Sequence, residues 1–191
     1  MSESSVIRAD LREGDVIRVL IEQHIRIRDL ALAVRVANST ELRTIAFDQL
    51  RALLAVHETA EEMVLRPMSR QADRRIADSR NHEEHEANEV LAQLEHLPVD
   101  SEEFEVEFAG FEKSVLAHAD AEEAEEFPAV LAATDEVQRQ RLGALLITLE
   151  RVAPTHPHPV TAGSTPAQWV AAPFTAMIDR TRDALSRLMT H

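Results

Sequence analysis

One pattern of residues is written twice in this chain, and it restricts the possible folds more than any other feature. The stretch HETAEEMVLRP, residues 57–67, is followed 61 positions later by HADAEEAEEFP, residues 118–128. Both stretches contain His-x-x-x-Glu and then a proline, and His24 and His85 upstream are also 61 positions apart. Chance is a poor explanation for this many coincidences at one offset. The sequence therefore predicts a duplicated unit that carries histidine at matching positions.

The composition indicates that the duplicated unit is helical. The chain of 191 residues has 4 glycines and no tyrosine, and it is rich in Ala, Leu, Glu and Arg, which are good helix formers. Capping boxes are predicted at Asp10, Asn38, Asp100 and Thr165. We predict helices at residues 10–37, 40–66, 70–97, 101–131, 135–152 and 166–189. The first four form two helical hairpins, which predicts an all-α, up-down-up-down four-helix bundle with additional C-terminal helices.

The stretch APTHPHPVTAGSTP divides the chain into a main domain and an appended helix. It contains several prolines and has no hydrophobic periodicity, so it is predicted to be a linker over residues 153–166. We expect the helical bundle to occupy residues 1–152. Residues 167–191 are expected to form an amphipathic helix that packs on the bundle.

Charge and cysteine usage exclude several classes of function. The chain has 34 acidic and 20 basic residues and a net charge of −14, which disfavours nucleic acid and anionic membranes as partners. It contains no cysteine, so disulfides, thiolate zinc sites and cysteine nucleophiles are excluded. The first residues lack a basic and apolar leader, and no apolar run is long enough to cross a bilayer. We expect a cytoplasmic monomer or homodimer that binds a small molecule.

Helical periodicity directs the repeated His and Glu side chains toward the core. On the second helix, His57 and Glu61 follow Phe47 on one apolar stripe of period about 3.6, and His118 and Glu122 continue a similar stripe on the fourth helix. The first helix places its histidine among apolar residues in the same way. The third helix has a weaker stripe, and the sequence favours the line through its histidine at position 85.

Buried carboxylates and imidazoles need a partner, and a metal ion supplies one. An ionised carboxylate in an apolar interior is costly unless it is paired. Residues four apart lie on the same helix face, so each His-x-x-x-Glu motif can direct one nitrogen and one carboxylate at a shared cation. Imidazole with carboxylate and no thiolate suits iron, manganese or zinc. The sequence therefore predicts two metal ions, and the candidate ligands are His24, His57, Glu61, His85, His118 and Glu122.

These residues, in this order and spacing, resemble the hemerythrin-like HHE cation-binding domain family over about residues 10–131. The resemblance implies a bundle around two non-haem iron ions with Fe–O–Fe or carboxylate bridges, and zinc or manganese can take the place of iron. Carried over by position, it implies that Glu61 and Glu122 bridge the ions. It also implies that His24, His57, His85 and His118 are terminal ligands.

The chain departs from the oxygen-carrying members of that family in one respect. Those proteins have five ligand histidines, two of them four apart on the third helix, whereas positions 81 and 89 on either side of His85 are Asn and Glu. His82, Glu58 or solvent is expected to complete the coordination. A centre with open positions favours chemistry on a bound small molecule over reversible oxygen storage.

The sequence thus predicts a di-iron protein that acts on hydrogen peroxide, dioxygen or a related species such as nitric oxide, with catalase-like or peroxidase-like activity. Glu58 and Glu123 are the nearest candidates for proton transfer, by proximity in sequence alone. An alternative is a non-enzymatic protein that binds or senses oxygen or iron, which would give a reversible oxygenated spectrum without turnover. A second alternative is a metal-free interaction bundle, which metal analysis would identify.

Overall fold

The computed structural model describes residues 8–152 and 174–189. Within these ranges the regular structure is helical and contains no strand, which confirms the predicted all-α class. Two π-helical turns, Glu61–Leu65 and Glu122–Glu126, each join two α-helices into one long helix. The helices are α1 (Val16–Val36), α2 (Thr40–Ala60), α3 (Arg66–Ala72), α4 (Arg74–Leu94), α5 (Glu102–Ala121), α6 (Phe127–Ala133), α7 (Glu136–Val152) and α8 (Phe174–Met189).

Four long rods form the predicted up-down-up-down bundle. They are α1, the continuous α2–α3 helix, α4 and the continuous α5–α6 helix. Helix α1 packs on α2 and α5, α4 packs on α5 and α3, and α3 packs on α6. Helix α7 lies against α1, and α8 packs on α2 and α7. None of the helices in the described ranges is long and apolar enough to cross a membrane.

Helices α1, α2 and α5 begin at short polar side chains that cap their first turns. Asp15, Ser39 and Ser101 each accept a hydrogen bond from a backbone N–H of the following turn, which satisfies a donor that has no partner within the helix. For example, the Oγ atom of Ser101 accepts from the N–H of Phe104 at 3.1 Å. The sequence therefore specifies the helix starts through local capping chemistry.

Three of the predicted capping residues were wrong, two by one residue and one by five. The caps predicted at Asn38 and Asp100 lie one residue before the observed ones. The cap predicted at Asp10 is replaced by Asp15, because Gly14 adopts a φ of +82° and turns the chain just before α1 begins. Thr165 and the predicted linker 153–166 lie outside the described residues.

The two π-helical turns start at the two glutamates of the repeated motif. The N–H of Arg66 donates to the carbonyl of Glu61, and the N–H of Phe127 donates to the carbonyl of Glu122, so each bond spans five residues. Such turns insert one extra residue into a helix and are frequent at functional sites. They widen both long helices at the residues that the sequence singled out as ligands.

The prolines after these turns do not end the helices, contrary to the prediction that the second helix ends near residue 66. Pro67 and Pro128 lie in the first turns of α3 and α6, and the second rod continues to Ala72. A proline ring clashes with the carbonyl four residues earlier in an α-helix. The wider π-helical turn before each proline leaves room for the proline ring, so each long helix continues past its proline.

An aromatic cluster fills the core at one end of the bundle. The ring of Phe104 packs edge-on against Phe47 at a centroid distance of 5.1 Å and stacks on Phe108 at 5.6 Å. All three rings are buried. They lie on the apolar stripes that the sequence predicted, and the same stripes continue along α2 and α5 into the polar centre of the bundle.

Candidate metal centre

A first group of four buried polar side chains meets in the middle of the bundle. It consists of His24 from α1, His57 from α2 and the two glutamates at which the π-helical turns begin, Glu61 and Glu122. One potential ligand atom from each residue lies within 4.8 Å of all the others. All four side chains are buried, so the group is screened from solvent.

A second group shares the same two glutamates. Glu61 and Glu122 meet Glu84 from α4 and His118 from α5, and their ligand atoms also lie within 4.8 Å of one another. Each of the four long rods therefore contributes at least one side chain to the paired groups. The two groups are adjacent and joined through two carboxylates.

The two oxygens of each shared glutamate face different groups. Glu61 Oε1 is 3.1 Å from His57 Nε2, and its Oε2 is 3.9 Å from His118 Nε2. Glu122 Oε2 is 3.2 Å from His24 Nε2, and its Oε1 is 3.3 Å from His118 Nε2. A carboxylate placed between two ligand sets in this way can bridge two cations.

Outer hydrogen bonds orient all three histidines. In each ring Nδ1–H donates to a side-chain oxygen, which leaves Nε2 directed inward, as is typical of metal-ligating histidines. The contacts are His24 to Glu123 Oε1 at 2.8 Å, His57 to Gln23 Oε1 at 2.8 Å and His118 to Glu83 Oε2 at 2.9 Å. The outer acceptors are themselves held, since Arg28 donates to Glu123 and Gln23 donates to Glu150.

Most of the inward atoms have no hydrogen-bond partner among the described residues. They are both oxygens of Glu61 and of Glu122, and Nε2 of His24 and of His118. A buried acceptor without a donor costs about 1–3 kcal/mol. Coordination to a cation satisfies such atoms, and this set of imidazole nitrogens and carboxylate oxygens suits iron, manganese or zinc. The residues therefore fit a pair of divalent cations.

The buried charges shift the pKa values of the histidines in opposite directions. Burial lowers the pKa of His24, but Glu122 and Glu123 outweigh it and raise the pKa to about 9. Burial is likewise outweighed at His118, where Glu122 and Glu61 raise the pKa to about 11. Burial prevails at His57 and lowers its pKa to about 4. A cation that binds His24 and His118 must therefore displace their protons.

The structure does not bring His85 to the centre, in contrast to the prediction from the repeat. Its side chain is 75% exposed and its Nε2 lies 3.4 Å from Glu89, whereas the side chain of Glu84 is 13% exposed and faces the centre. A helix turns about 100° per residue, so adjacent side chains point in clearly different directions. The inward line of α4 is formed by Ala77, Arg80, Glu84, Asn88 and Leu91.

The two residues considered as replacements for a fifth histidine are also outside both groups. His82 is exposed and pairs with Glu86 on the surface of α4. Glu58 is half-buried and accepts a hydrogen bond from Asn88 at 2.8 Å. Burial raises the pKa of Glu58 to about 8. Neither side chain is among the ligand atoms that converge in the two groups.

Sequence reasoning missed Glu84 and Gln23, although the repeat offers a signal for both. At the offset of 61 positions, Gln23 corresponds to Glu84, just as His24 corresponds to His85. Gln23 accepts a hydrogen bond from His57 and Glu84 faces the centre, so the residue before each of these two histidines was informative. Of the two histidines, only His24 faces inward.

Substitutions at three positions on α4 distinguish the structural arrangement from the repeat symmetry. We expect Glu84→Ala to lower bound metal by about one ion per chain, because it removes a ligand of one group only. His85→Ala and His82→Ala are expected to leave metal content unchanged. Elemental analysis of the loaded, purified variants measures this. A larger loss from His85→Ala than from Glu84→Ala would mean that α4 is rotated from the arrangement described.

Comparison with known proteins relates both ligand groups to one family. The sequence model described as "Hemerythrin HHE cation binding domain" matches residues 15–130, which include every residue of the two groups. An uncharacterized hemerythrin-like protein of Schizosaccharomyces pombe is 23% identical over 172 residues, covering 88% of this chain and 85% of that protein. The crystal structure of a hemerythrin HHE cation binding domain-containing protein from Mycobacterium kansasii has a TM-score of 0.63 at 24% identity, and the alignment covers 90% of this chain and 96% of that one.

Proposed function

Because the chain belongs to the hemerythrin HHE cation-binding domain family, we propose that it holds two non-haem iron ions and consumes hydrogen peroxide at them. The observation that carries the proposal is that Glu61 and Glu122 each direct one oxygen toward each of two ligand groups. His24 and His57 would hold one ion, and Glu84 and His118 would hold the other. Bound iron would supply the redox chemistry in which one peroxide is oxidised to dioxygen while a second is reduced to water.

The number of ligands favours reaction over simple storage of iron. Three imidazole nitrogens, four oxygens of the shared glutamates and one oxygen of Glu84 give roughly eight donor atoms for about twelve coordination positions. Roughly four positions therefore remain for small molecules. The chain contains no cysteine, so the proposed consumption of peroxide does not use a thiol.

A groove between α4 and α5 supports access of a small molecule to the centre. It has a volume of about 530 Å³, and His118 is part of its lining. Gly110 and Ala117 leave it open because their side chains are small, and Glu86 and Glu107 make its lining acidic. Negative charge disfavours anions and tolerates neutral molecules. Hydrogen peroxide, dioxygen and nitric oxide are all small and neutral enough to enter.

Oxygen release from hydrogen peroxide tests the proposed activity. The iron-loaded protein is compared with the same concentration of free iron and with a Glu61→Ala variant loaded in the same way. We expect the protein to release oxygen faster than free iron and the variant to lose this advantage. If the protein is no faster than free iron while it binds dioxygen reversibly, the function is non-enzymatic oxygen binding instead.

Filling the groove is expected to slow peroxide consumption without removing metal. A Cβ atom at Gly110 would meet nothing within 4 Å, so Gly110→Leu fits the helix and extends over the groove. Replacing a mid-helix glycine also stabilises the helix by about 0.5–1 kcal/mol, so slower turnover could not be attributed to unfolding. We expect the rate at limiting peroxide to fall by at least about twofold, because the route to His118 is narrowed.

The control is Gly110→Ala, which gives the same gain in helix stability with a much smaller side chain. It should keep the original rate and the original metal content. Equal rates for Gly110→Leu and Gly110→Ala would show that peroxide reaches the centre by another route.

A further inference from the structure

A buried arginine lies against the second ligand group. Arg66, at the start of α3, is 2% exposed, and its Nη1 donates to both oxygens of Glu126 at 2.7 and 2.8 Å. Its Nη2 lies 3.8 Å from Glu61 Oε2 and 3.7 Å from Glu122 Oε1, and it is in direct contact with Glu84 Oε1. One guanidinium group thus faces every carboxylate of the second group.

The oxygens that Arg66 faces are those that face His118. His118 Nε2 lies 3.9 Å from Glu61 Oε2, 3.9 Å from Glu84 Oε1 and 3.3 Å from Glu122 Oε1. A cation held by the second group would use these same three oxygens. Arg66 therefore competes with that cation for its carboxylate ligands.

The first group is arranged differently. Its carboxylate oxygens, Glu61 Oε1 and Glu122 Oε2, face His57 and His24. The residue that corresponds to Arg66 in the repeat is Phe127, whose ring stacks on His24 at a centroid distance of 5.5 Å. The pseudo-symmetric halves of the chain thus place a neutral ring beside one ligand group and a cation beside the other.

We propose that Arg66 makes the two metal positions unequal, so that a first cation binds at His24 and His57 and a second binds more weakly at Glu84 and His118. A guanidinium group stays protonated at any physiological pH, so it repels the incoming ion as well as competing for the oxygens. The hydrogen bonds to Glu126 keep Arg66 beside the group. This inference rests on the two-metal function proposed above and adds an order of loading to it.

Equilibrium dialysis against Mn²⁺, followed by metal and protein analysis, tests the inference without an activity assay. The wild-type chain should bind Mn²⁺ in two steps. The midpoint of the second step should lie at a free Mn²⁺ concentration at least about tenfold higher than the midpoint of the first. In Arg66→Met the midpoint of the second step should fall to a free Mn²⁺ concentration at least about tenfold lower than in the wild type, and the midpoint of the first step should change less. Arg139→Met is the matched control, because Arg139 is also buried but pairs with Asp15 at the start of α1.

A second variant covers the case in which Arg66→Met does not fold, as judged by circular dichroism. Arg66→Lys retains the positive charge but has a single ammonium nitrogen. It therefore lacks the two terminal guanidinium nitrogens of which one donates to Glu126 and the other faces Glu84. Its second step should also tighten, by less than in Arg66→Met. Two equal steps in the wild-type chain, or a second step that neither substitution moves, would overturn the inference and leave the two-metal function standing. Absence of Mn²⁺ and iron from all the chains would instead refute the function.

Discussion

Replacing Glu122 with glutamine is expected to destroy the paired metal centre. Glu122 presents one oxygen to each ligand group, so the substitution weakens both positions at once. Loss of outer partners of metal ligands alone typically lowers affinity 10- to 100-fold, and the loss of a shared ligand should exceed about 100-fold. Dialysis and metal analysis should find less than one tightly bound ion per chain. Glutamine has nearly the same size, so the helix should remain folded.

Glu125→Gln is the matched control for this substitution. Glu125 lies in the same π-helical turn but is exposed, and among the described residues it makes one long ion-pair contact, to Arg80 at 3.6 Å. Its replacement removes the same charge from the same turn and should leave metal content at the wild-type value. Equal metal content in Glu122→Gln and Glu125→Gln would show that Glu122 is not a shared ligand.

Phe104→Ala is expected to give a large loss of stability. The Phe104 ring is buried and packs against Phe47 and Phe108, so its removal leaves a cavity in the aromatic cluster. Phenylalanine-to-alanine substitutions in cores cost about 3–5 kcal/mol, a large part of the 5–15 kcal/mol that is typical of a whole domain. Urea denaturation of the metal-free protein measures this change.

The same variant separates the stability of the fold from the chemistry of the centre. Phe104 precedes His118 by 14 residues on α5, which corresponds to about 21 Å along the helix axis. The folded fraction of Phe104→Ala should therefore bind metal normally. Val106→Ala, on the exposed face of the same helix, should change stability by less than about 0.5 kcal/mol. Equal effects of the two substitutions would contradict the assigned core.

The fold was predictable because the clearest patterns in the sequence, the apolar stripes and the repeat, also determine how the helices pack. The apolar stripes of α2 and α5 fix which face of each helix is buried, and the offset repeat pairs the helices. The family resemblance read from the histidine and glutamate spacing is confirmed by the match over residues 15–130. The helix ends were less predictable, because capping depends on single residues such as Asp15 and because the π-helical turns carry the chain past Pro67 and Pro128.

The rotation of α4 could not be predicted from the sequence. This helix is the most polar of the four rods, and few apolar side chains define its inward face. His85 and Glu84 are adjacent, so an error of one residue in the helical phase exchanges a nitrogen ligand for an oxygen ligand. The direction of α4 depends on contacts that are distant in sequence, including the pair of Glu84 with Arg66 and the hydrogen bond from Asn88 to Glu58.

The same difference explains how a duplicated sequence produces two unequal ligand groups. His57 and His118, and Glu61 and Glu122, occupy matching places in the two halves. The symmetry breaks at Gln23 and Glu84, since Gln23 orients His57 from outside while Glu84 faces the centre itself. The first group thus contains two imidazoles and the second contains one imidazole and an additional carboxylate.

The number of iron ions per chain tests the central claim most directly. The protein is dialysed anaerobically against excess ferrous iron, and bound iron and protein are then quantified in the same sample. Two ligand groups joined by Glu61 and Glu122 predict about two irons per chain, with one lost in Glu84→Ala. A wild-type value of one or none would contradict the two-metal centre.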